Sequence, residues 1–226
     1  MKYQELKEGI FLKRPNRFLA HVMLDGKEEI CHVKNTGRLG ELLLPGRKVL
    51  VEPSDSPKRK TKFSLICVEK EGQWVNIDSQ VVNQIAEEWV RQGKILEDVT
   101  LIKREKKYGN SRFDLYVETK EERWFIEVKG VTLEENHTAM FPDAKTERGV
   151  KHVQELITCT KDGYRAGILF VIQRKGVKEF KPHAIRHPEF AQALKNASLS
   201  GVEVMAVDCK VDHQGIQIDQ RIPVIL

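Results

Sequence analysis

Short segments rich in Val, Ile, Leu and Phe alternate with turn-forming residues through the first 78 residues, a pattern typical of β-structure. We predict five strands, at residues 18–24, 28–33, 48–52, 63–69 and 73–77. Asp25-Gly26, between the first two, is a strong hairpin signal. Five short strands in so few residues predict a small all-β barrel. The OB-fold is the commonest nucleic-acid-binding barrel of this kind, although an SH3-like barrel would give nearly the same pattern.

Beyond residue 78 the hydrophobic period becomes helical. Apolar residues between 81 and 90 fall on one helix face, with Ser79 as the expected N-cap and Gly93 as the stop. Further strands are predicted at 99–104, 111–118, 123–129, 166–172 and 202–207, and further helices at 144–159, capped by Asp143, and near 189–197. This order predicts an α/β domain, an α+β mixed sheet flanked by helices. The predicted domains are therefore 1–80 and 81–226.

Composition indicates a folded protein without a membrane segment. Of 226 residues, 40% are hydrophobic and 31% are charged. The longest clean apolar run, 166–172, is far shorter than the ~20 residues of a membrane span, and the N-terminus lacks the apolar stretch of a signal peptide. We therefore expect a cytoplasmic protein with no membrane partner. The four cysteines are widely separated, which favours reduced, buried thiols over a zinc ribbon.

The positive charge is concentrated near the N-terminus. Residues 1–83 hold 15 Lys and Arg against 11 Asp and Glu, a net +4 of the total +5. A basic module of this kind suits nucleic acid, although an ordinary solvated surface is the alternative. The expected phosphate contacts lie in a proline-flanked loop and in strand ends and turns: Lys58, Arg59, Lys60, Arg14, Arg17, Asn35 and Arg38.

Three charged residues interrupt apolar strands in the second domain. Asp114 lies in the predicted strand 111–118, and Glu127 and Lys129 lie in the next one. Residues i and i+2 share a strand face, and a hairpin would bring Asp114 beside Glu127. Charged groups among apolar residues are costly unless they are paired or bind metal. Either Glu127 and Lys129 form an exposed ion pair, or the two carboxylates hold a cation such as Mg²⁺ while Lys129 activates water.

This arrangement resembles the PD-(D/E)XK nuclease superfamily: an Asp, then Glu-x-Lys on the next strand, then a helix. Residues 140–152, Met-Phe-Pro-Asp-Ala-Lys-Thr-Glu-Arg-Gly-Val-Lys-His, resemble the FPDAxTxRGxKH signature of the sugar fermentation stimulation protein family. Segments 32–38, 58–61 and 108–114 agree, so the resemblance covers nearly the whole chain. It implies an OB-like domain, a restriction-nuclease-like domain and DNA binding. It also implies Asp114 and Glu127 as ligands of Mg²⁺ or Mn²⁺ and Lys129 as the catalytic lysine.

Other polar residues are weaker candidates. Glu105 is a candidate further acid near the metal. Arg148, Lys151 and His152 share a face of the predicted helix 144–159 with Glu155, and this face is either a phosphate contact or merely solvated. A zinc site at His183 and His187 is disfavoured, because flanking prolines oppose a helix and the intervening Glu of such sites is missing.

Two functions fit the sequence. The intact Asp, Glu and Lys set favours a metal-dependent nuclease acting on nucleic acid, DNA rather than RNA. The alternative is a non-catalytic, regulatory DNA-binding protein that retains the nuclease-like fold. A homo-oligomer is left open. Because Asp114 and Glu127 should repel each other without metal, Glu127→Gln is expected to stabilise the metal-free protein.

Overall fold

The computed structural model describes residues 1–54 and 59–226, which form two compact units. The first unit comprises Met1–Val81, Gln173–Lys175 and Cys209–Gln217, and the second comprises Val82–Ile172, Gly176–Asp208 and Ile218–Leu226. The two short C-terminal segments of the first unit have no counterpart in the predicted domain 1–80. No helix within the described ranges is long and apolar enough to cross a membrane. All four cysteines are buried thiols, as predicted.

The first unit is an OB-like barrel. Its strands are β1 (Lys7–Asn16), β2 (Leu19–Leu24), β3 (Lys27–Val33), β4 (Lys48–Pro53), β5 (Phe63–Lys70) and β6 (Gln73–Asn76). The strand order is β3-β2-β1-β4-β5-β6, and a parallel pairing of β3 with β5 closes five strands into a barrel. Of the two barrels that the sequence allowed, this closure matches the OB-like one rather than the SH3-like one. The β2–β3 hairpin turns at Asp25 and Gly26, whose φ angles of 47° and 77° are both left-handed, as the sequence predicted.

Strand β1 is absent from the sequence prediction because only three consecutive apolar residues interrupt its charges. Its inward positions include Gly9 and Phe11, so the usual alternation of large apolar residues is absent. A Cβ at Gly9 would lie 2.7 Å from Val22 Cγ1 and 2.5 Å from Leu24 Cδ2. The glycine therefore makes room for core side chains of β2, and a pattern search for hydrophobic residues does not detect it.

The second unit is built on a mixed sheet. Its elements are α1 (Val82–Arg91), β7 (Val99–Tyr108), β8 (Ser111–Thr119), β9 (Arg123–Val131), β10 (Glu134–Glu135), β11 (Thr138–Phe141), α2 (Glu147–Lys161), β12 (Arg165–Ile172), β13 (Glu179–Pro182) and α3 (Pro188–Leu199), together with residues 203–208 of β14 (Glu203–Val211) and residues 218–222 of β15 (Ile216–Ile222). The main sheet has the order β15-β14-β12-β9-β8-β7, and β10, β11 and β13 form a small second sheet. Strands β9, β12 and β14 are parallel, whereas β7, β8 and β9 are antiparallel neighbours. The mixed α/β architecture is confirmed.

Neither predicted N-cap was right: Asp143 lies three residues before the cap of α2, and Ser79 lies three residues before the first residue of α1. Helix α1 begins at Val82, and the Ser79 hydroxyl donates instead to the Lys34 carbonyl at 2.6 Å. Helix α2 is capped by Thr146 rather than Asp143, because the Thr146 hydroxyl accepts the Gly149 N–H at 3.0 Å. The apolar period locates a helix but does not distinguish among several nearby capping residues.

Candidate metal centre and basic cavity

Asp114 and Glu127 lie at the same level of two paired strands. Leu115 of β8 is paired with Ile126 of β9, and the next step of that register brings Asp114 opposite Glu127. Asp114 Oδ2 accepts the backbone N–H of Val128 at 2.8 Å, and its Oδ1 accepts the side-chain N–H of Asn83 at 2.7 Å. The Asp114 carboxylate is therefore held by the strand that carries Glu127 and by the first turn of α1.

Glu127 is almost completely buried, with 2% of its surface exposed. Its Oε1 accepts hydrogen bonds from the Lys129 ammonium and from His152 Nδ1, the latter at 2.5 Å. Its Oε2 is buried and has no hydrogen-bond partner among the described residues. A buried carboxylate oxygen without a partner is costly, so the chemistry of this atom fits a cation ligand.

The environments of the two carboxylates shift their pKa values in opposite directions. Burial, and next the charge of Glu127, raises the pKa of Asp114 to about 6. Burial also acts to raise the pKa of Glu127, but the His152 hydrogen bond and the charge of Lys129 outweigh it, and the pKa lies below its usual range. Near neutral pH both groups are therefore ionised, and Asp114 is ionised at an energetic cost that a divalent cation would remove.

The number of donors limits which metal the pair could hold. Within residues 1–54 and 59–226, no three His, Cys, Asp or Glu side chains are arranged to hold an ion. Magnesium commonly uses one or two carboxylates, water and substrate phosphate, whereas structural zinc takes four protein ligands. Glu105 is exposed, has a left-handed φ of 55°, and lies between the pairs Arg104–Leu115 and Lys106–Phe113, hence across from Asp114. Its role as a further acid stays a prediction.

A basic cavity of about 390 Å³ adjoins this centre. Its lining residues are Lys107, Asn110, Ser111, Arg112, Arg148, Lys151 and His152. The four Lys and Arg side chains give it a formal charge of +4, and none of the described residues that line it is acidic. His152 joins the cavity to the carboxylates, since its Nδ1 contacts Glu127 while its Nε2 lies 3.4 Å from Arg148 Nε.

The three candidate residues of α2, Arg148, Lys151 and His152, all line this cavity, but one of them is buried. Arg148 and Lys151 line the cavity, whereas His152 is buried against Glu127 rather than presented on the helix surface. Sequence reasoning missed Asn83, and it gave no role to Lys107 and Arg112. The only signal for this part of the cavity was the family resemblance of segment 108–114. The sequence of a hairpin does not show which helix packs beside it, so the cavity itself could not be predicted.

Two of the predicted phosphate contacts in the barrel are engaged in holding a loop. The Arg14 guanidinium donates to the carbonyls of Gly37 and Arg38, both at 2.7 Å, and of Arg17 and Asn35, both at 2.8 Å. The Asn35 amide is bonded at both ends to backbone groups. In this structure these residues stabilise the barrel rather than offer free donors to phosphate.

The remaining barrel candidates differ in exposure. Arg17, Arg38 and Lys60 are exposed, and the Arg17 guanidinium lies 5.7 Å from the ring centroid of Phe18, which is 52% exposed. Arg59 donates to the Thr61 hydroxyl and to the carbonyl of Phe63, the first residue of β5. Lys58 lies outside the described residues. The accessible cations among these candidates are therefore Arg17, Arg38 and Lys60, and the neighbouring Lys62 is exposed as well.

Arg14→Lys should lower the free energy of unfolding by about 2 kcal/mol, because one ammonium cannot reach four carbonyl oxygens and a charged hydrogen bond contributes about 1.5–3 kcal/mol. Arg17→Lys, an exposed change just after the strand that carries Arg14, is the matched control and should change stability by less than about 0.5 kcal/mol. Chemical denaturation of both variants measures the difference. Equal stabilities would show that the Arg14 hydrogen bonds contribute little.

Two protein-family models together match most of the chain. The family model "Sugar fermentation stimulation protein RE domain" matches residues 80–215, and "SfsA N-terminal OB domain" matches residues 12–77. This chain belongs to the sugar fermentation stimulation protein family. Relatives carrying the name sugar fermentation stimulation protein homolog include those of Clostridium beijerinckii, 57% identical, and Ruminiclostridium cellulolyticum, 55% identical, each aligned over 100% of both chains.

A solved structure of the family has the same fold. The SfsA protein of Pyrococcus furiosus, determined in complex with Ca²⁺, is 33% identical to this chain and covers 100% of both chains with a TM-score of 0.89. The family assignment and the OB-like barrel followed by a mixed α/β domain, both predicted from sequence, are thereby confirmed.

Proposed function

We propose that the protein is a divalent-metal-dependent nuclease whose metal ligands are Asp114 and Glu127. The observation that carries this proposal is the buried Glu127 Oε2, which lacks a hydrogen-bond partner among the described residues and belongs to a carboxylate opposite Asp114. The relative from Pyrococcus furiosus was determined with Ca²⁺, which supports divalent-cation binding in this family. Mg²⁺ or Mn²⁺ is the proposed ion, because both suit carboxylate, water and phosphate oxygens.

The chain's own residues would orient this centre. Asn83 and the Val128 N–H hold Asp114, and His152 holds Glu127, so neither carboxylate has to be ordered when substrate arrives. The Lys129 ammonium donates one proton to Glu127 and keeps two more for a water molecule or a phosphate oxygen. A bound metal would supply Lewis-acid polarisation of a phosphodiester and a more acidic water.

Nucleic acid is the proposed substrate because the surroundings of the centre are basic. The cavity beside His152 carries a formal +4, and phosphate is the anion that Lys and Arg clusters bind in nucleic acids. We propose DNA rather than RNA, on the family resemblance, and a cytoplasmic site of action.

Incubation of the purified protein with labelled DNA and RNA, single- and double-stranded, tests the nuclease proposal. Mg²⁺, Mn²⁺ and a chelator should be compared in parallel. We expect cleavage of DNA with metal and none in chelator. If no substrate is cut with either metal, the nuclease proposal fails and the DNA-binding alternative replaces it.

The alternative, a regulatory DNA-binding protein without catalysis, is favoured by the exposed cations of the barrel. Neutralising Lys60 and Lys62 to Gln should weaken DNA binding and reduce its salt dependence by roughly one unit of slope for each phosphate that is no longer bound. Lys48→Gln, an exposed change in β4, is the control. A series of dissociation constants against salt concentration gives the slopes. An unchanged slope in the double variant would show that Lys60 and Lys62 do not contact DNA.

A further inference from the structure

The cavity beside the metal centre concentrates like charges at two places. Lys107 and Arg112 are direct cross-strand partners at the end of the β7–β8 hairpin. Like charges placed opposite each other in an antiparallel pair destabilise it. Neither residue forms an ion pair within the described parts of the chain, so their repulsion is not relieved by a protein carboxylate. Such a pair is suited to an anion that lies between the two cations.

Helix α2 adds two further cations to the same cavity. Arg148 and Lys151 are three residues apart on one helix face, and both line the cavity. Lys151 is 54% exposed, and its distance to Glu155 Oε1, 3.9 Å, is too long for a hydrogen bond and leaves its ammonium available. Asn110 and Ser111 contribute uncharged polar groups at the hairpin turn. The cavity therefore combines four cations, two from the β7–β8 hairpin and two from α2, with groups that can donate to several oxygens of one ligand.

We propose that this cavity binds the terminal phosphate of a nucleic-acid strand. An internal phosphodiester carries one negative charge, whereas a phosphate monoester carries about −1.5 to −2 near neutral pH and offers three terminal oxygens. A +4 cavity of about 390 Å³ suits the more highly charged group. The inference rests on the proposed function only in taking nucleic acid as the substrate.

Because the cavity adjoins the metal centre, a strand end bound there would determine which phosphodiester is cleaved. His152 lines the cavity and also contacts Glu127, so a strand end held by Lys107 and Arg112 would lie next to the metal centre. The phosphodiester presented to Asp114 and Glu127 would then be one close to that end. Cleavage would release short products from strand ends rather than cut at random internal positions.

Binding of short single-stranded DNA in chelator tests the inference without requiring cleavage. Three oligonucleotides of one sequence carry a 5′-phosphate, a 3′-phosphate or only hydroxyl ends. We expect the wild type to bind one phosphorylated form about tenfold or more tightly than the hydroxyl form. The double variant Lys107→Gln, Arg112→Gln should bind all three alike, and Lys195→Gln, an exposed change in α3, should keep the preference. A melting curve should show no loss of stability in the double variant, since it removes a repulsion.

Equal affinities for all three oligonucleotides in the wild type would overturn the inference, as would a preference that survives in the double variant. If the wild type binds none of them, the inference fails as well. Cleavage with metal but no end preference would refute this inference and leave the nuclease proposal standing. An end preference in a protein that cuts nothing would refute only the nuclease proposal.

Discussion

Glu127→Gln and Lys129→Ala should each lower the rate of metal-dependent DNA cleavage by about a thousandfold or more, for different reasons. Glu127→Gln removes the negative charge that the metal needs, although the side-chain size is kept. Lys129→Ala leaves both carboxylates in place but removes the ammonium proposed to orient water or phosphate. Divalent-cation titration should therefore show weakened metal affinity in Glu127→Gln and nearly unchanged affinity in Lys129→Ala.

Matched surface changes provide the control for these two variants. Glu121→Gln and Lys103→Ala alter exposed side chains of the same types and should cleave at the wild-type rate. DNA binding should persist in all four variants, because phosphate contacts are spread over many cations. Cleavage at the wild-type rate by either site variant would rule out the proposed role of that residue.

The strand pattern was enough to predict which charged residues share a face. Glu127 and Lys129 interrupt an apolar strand two residues apart, and in the structure their side chains meet. The hairpin between the predicted strands also brings Asp114 opposite Glu127, because antiparallel neighbours with a short turn have a register that follows from the turn. This part of the candidate centre is local in sequence, which is why the sequence alone could predict it.

The contacts that complete the centre come from helices, and the hydrophobic period of a helix does not predict which strand it packs against. In the sequence His152 is one member of a polar helix face, yet it is buried against Glu127, 25 residues away. Asn83 reaches Asp114 from the start of α1. Arg14 has the pattern of a surface cation but binds four loop carbonyls. In each case a side chain's role depends on which element packs against it, and a single sequence does not show that.

The family signature is explained by the start of helix α2. Thr146 caps the helix through the Gly149 N–H, and a Cβ at Gly149 would lie 2.8 Å from Thr146 Cγ2 and 3.4 Å from the Phe190 ring. One turn later, His152 reaches Glu127. The spacing of Thr, Gly and His in the signature therefore fixes where α2 begins, how closely α3 approaches and which side chain meets the acid pair.

In chelator, Asp114→Asn should raise the free energy of unfolding at pH 7–8 by about 2–3 kcal/mol. The pKa of Asp114 is raised from 3.8 to about 6, mainly by burial and then by Glu127. The folded protein therefore holds this proton more tightly than the unfolded chain does, and stability is lost as pH rises from about 4 to about 6. Each pKa unit corresponds to about 1.4 kcal/mol, and asparagine avoids the loss because it does not ionise.

Glu127→Gln should have the opposite effect, which reverses the expectation drawn from sequence. The pKa of Glu127 is lowered despite burial, because His152 and Lys129 donate to the carboxylate. Its charge therefore contributes stability above its unfolded pKa, and that stability is lost as pH falls. Replacing it with Gln should destabilise the metal-free protein at neutral pH and leave two donors facing a neutral amide. The repulsion between the two carboxylates therefore destabilises mainly the ionised form of Asp114, whereas Lys129 and His152 already stabilise the charge of Glu127.

Denaturation curves of the wild type and both variants, from pH 4 to pH 8 in chelator, measure these effects. The advantage of Asp114→Asn should vanish near pH 4, where the wild-type carboxyl is protonated, and be complete above about pH 7. Saturating Mg²⁺ should stabilise the wild type much more than Asp114→Asn, because the variant lacks one ligand and binding to the folded state adds to stability. A gain for Asp114→Asn that is the same at every pH would mean that the charge of Asp114 is not its source. Stabilisation by both substitutions would mean that Lys129 and His152 do not compensate Glu127.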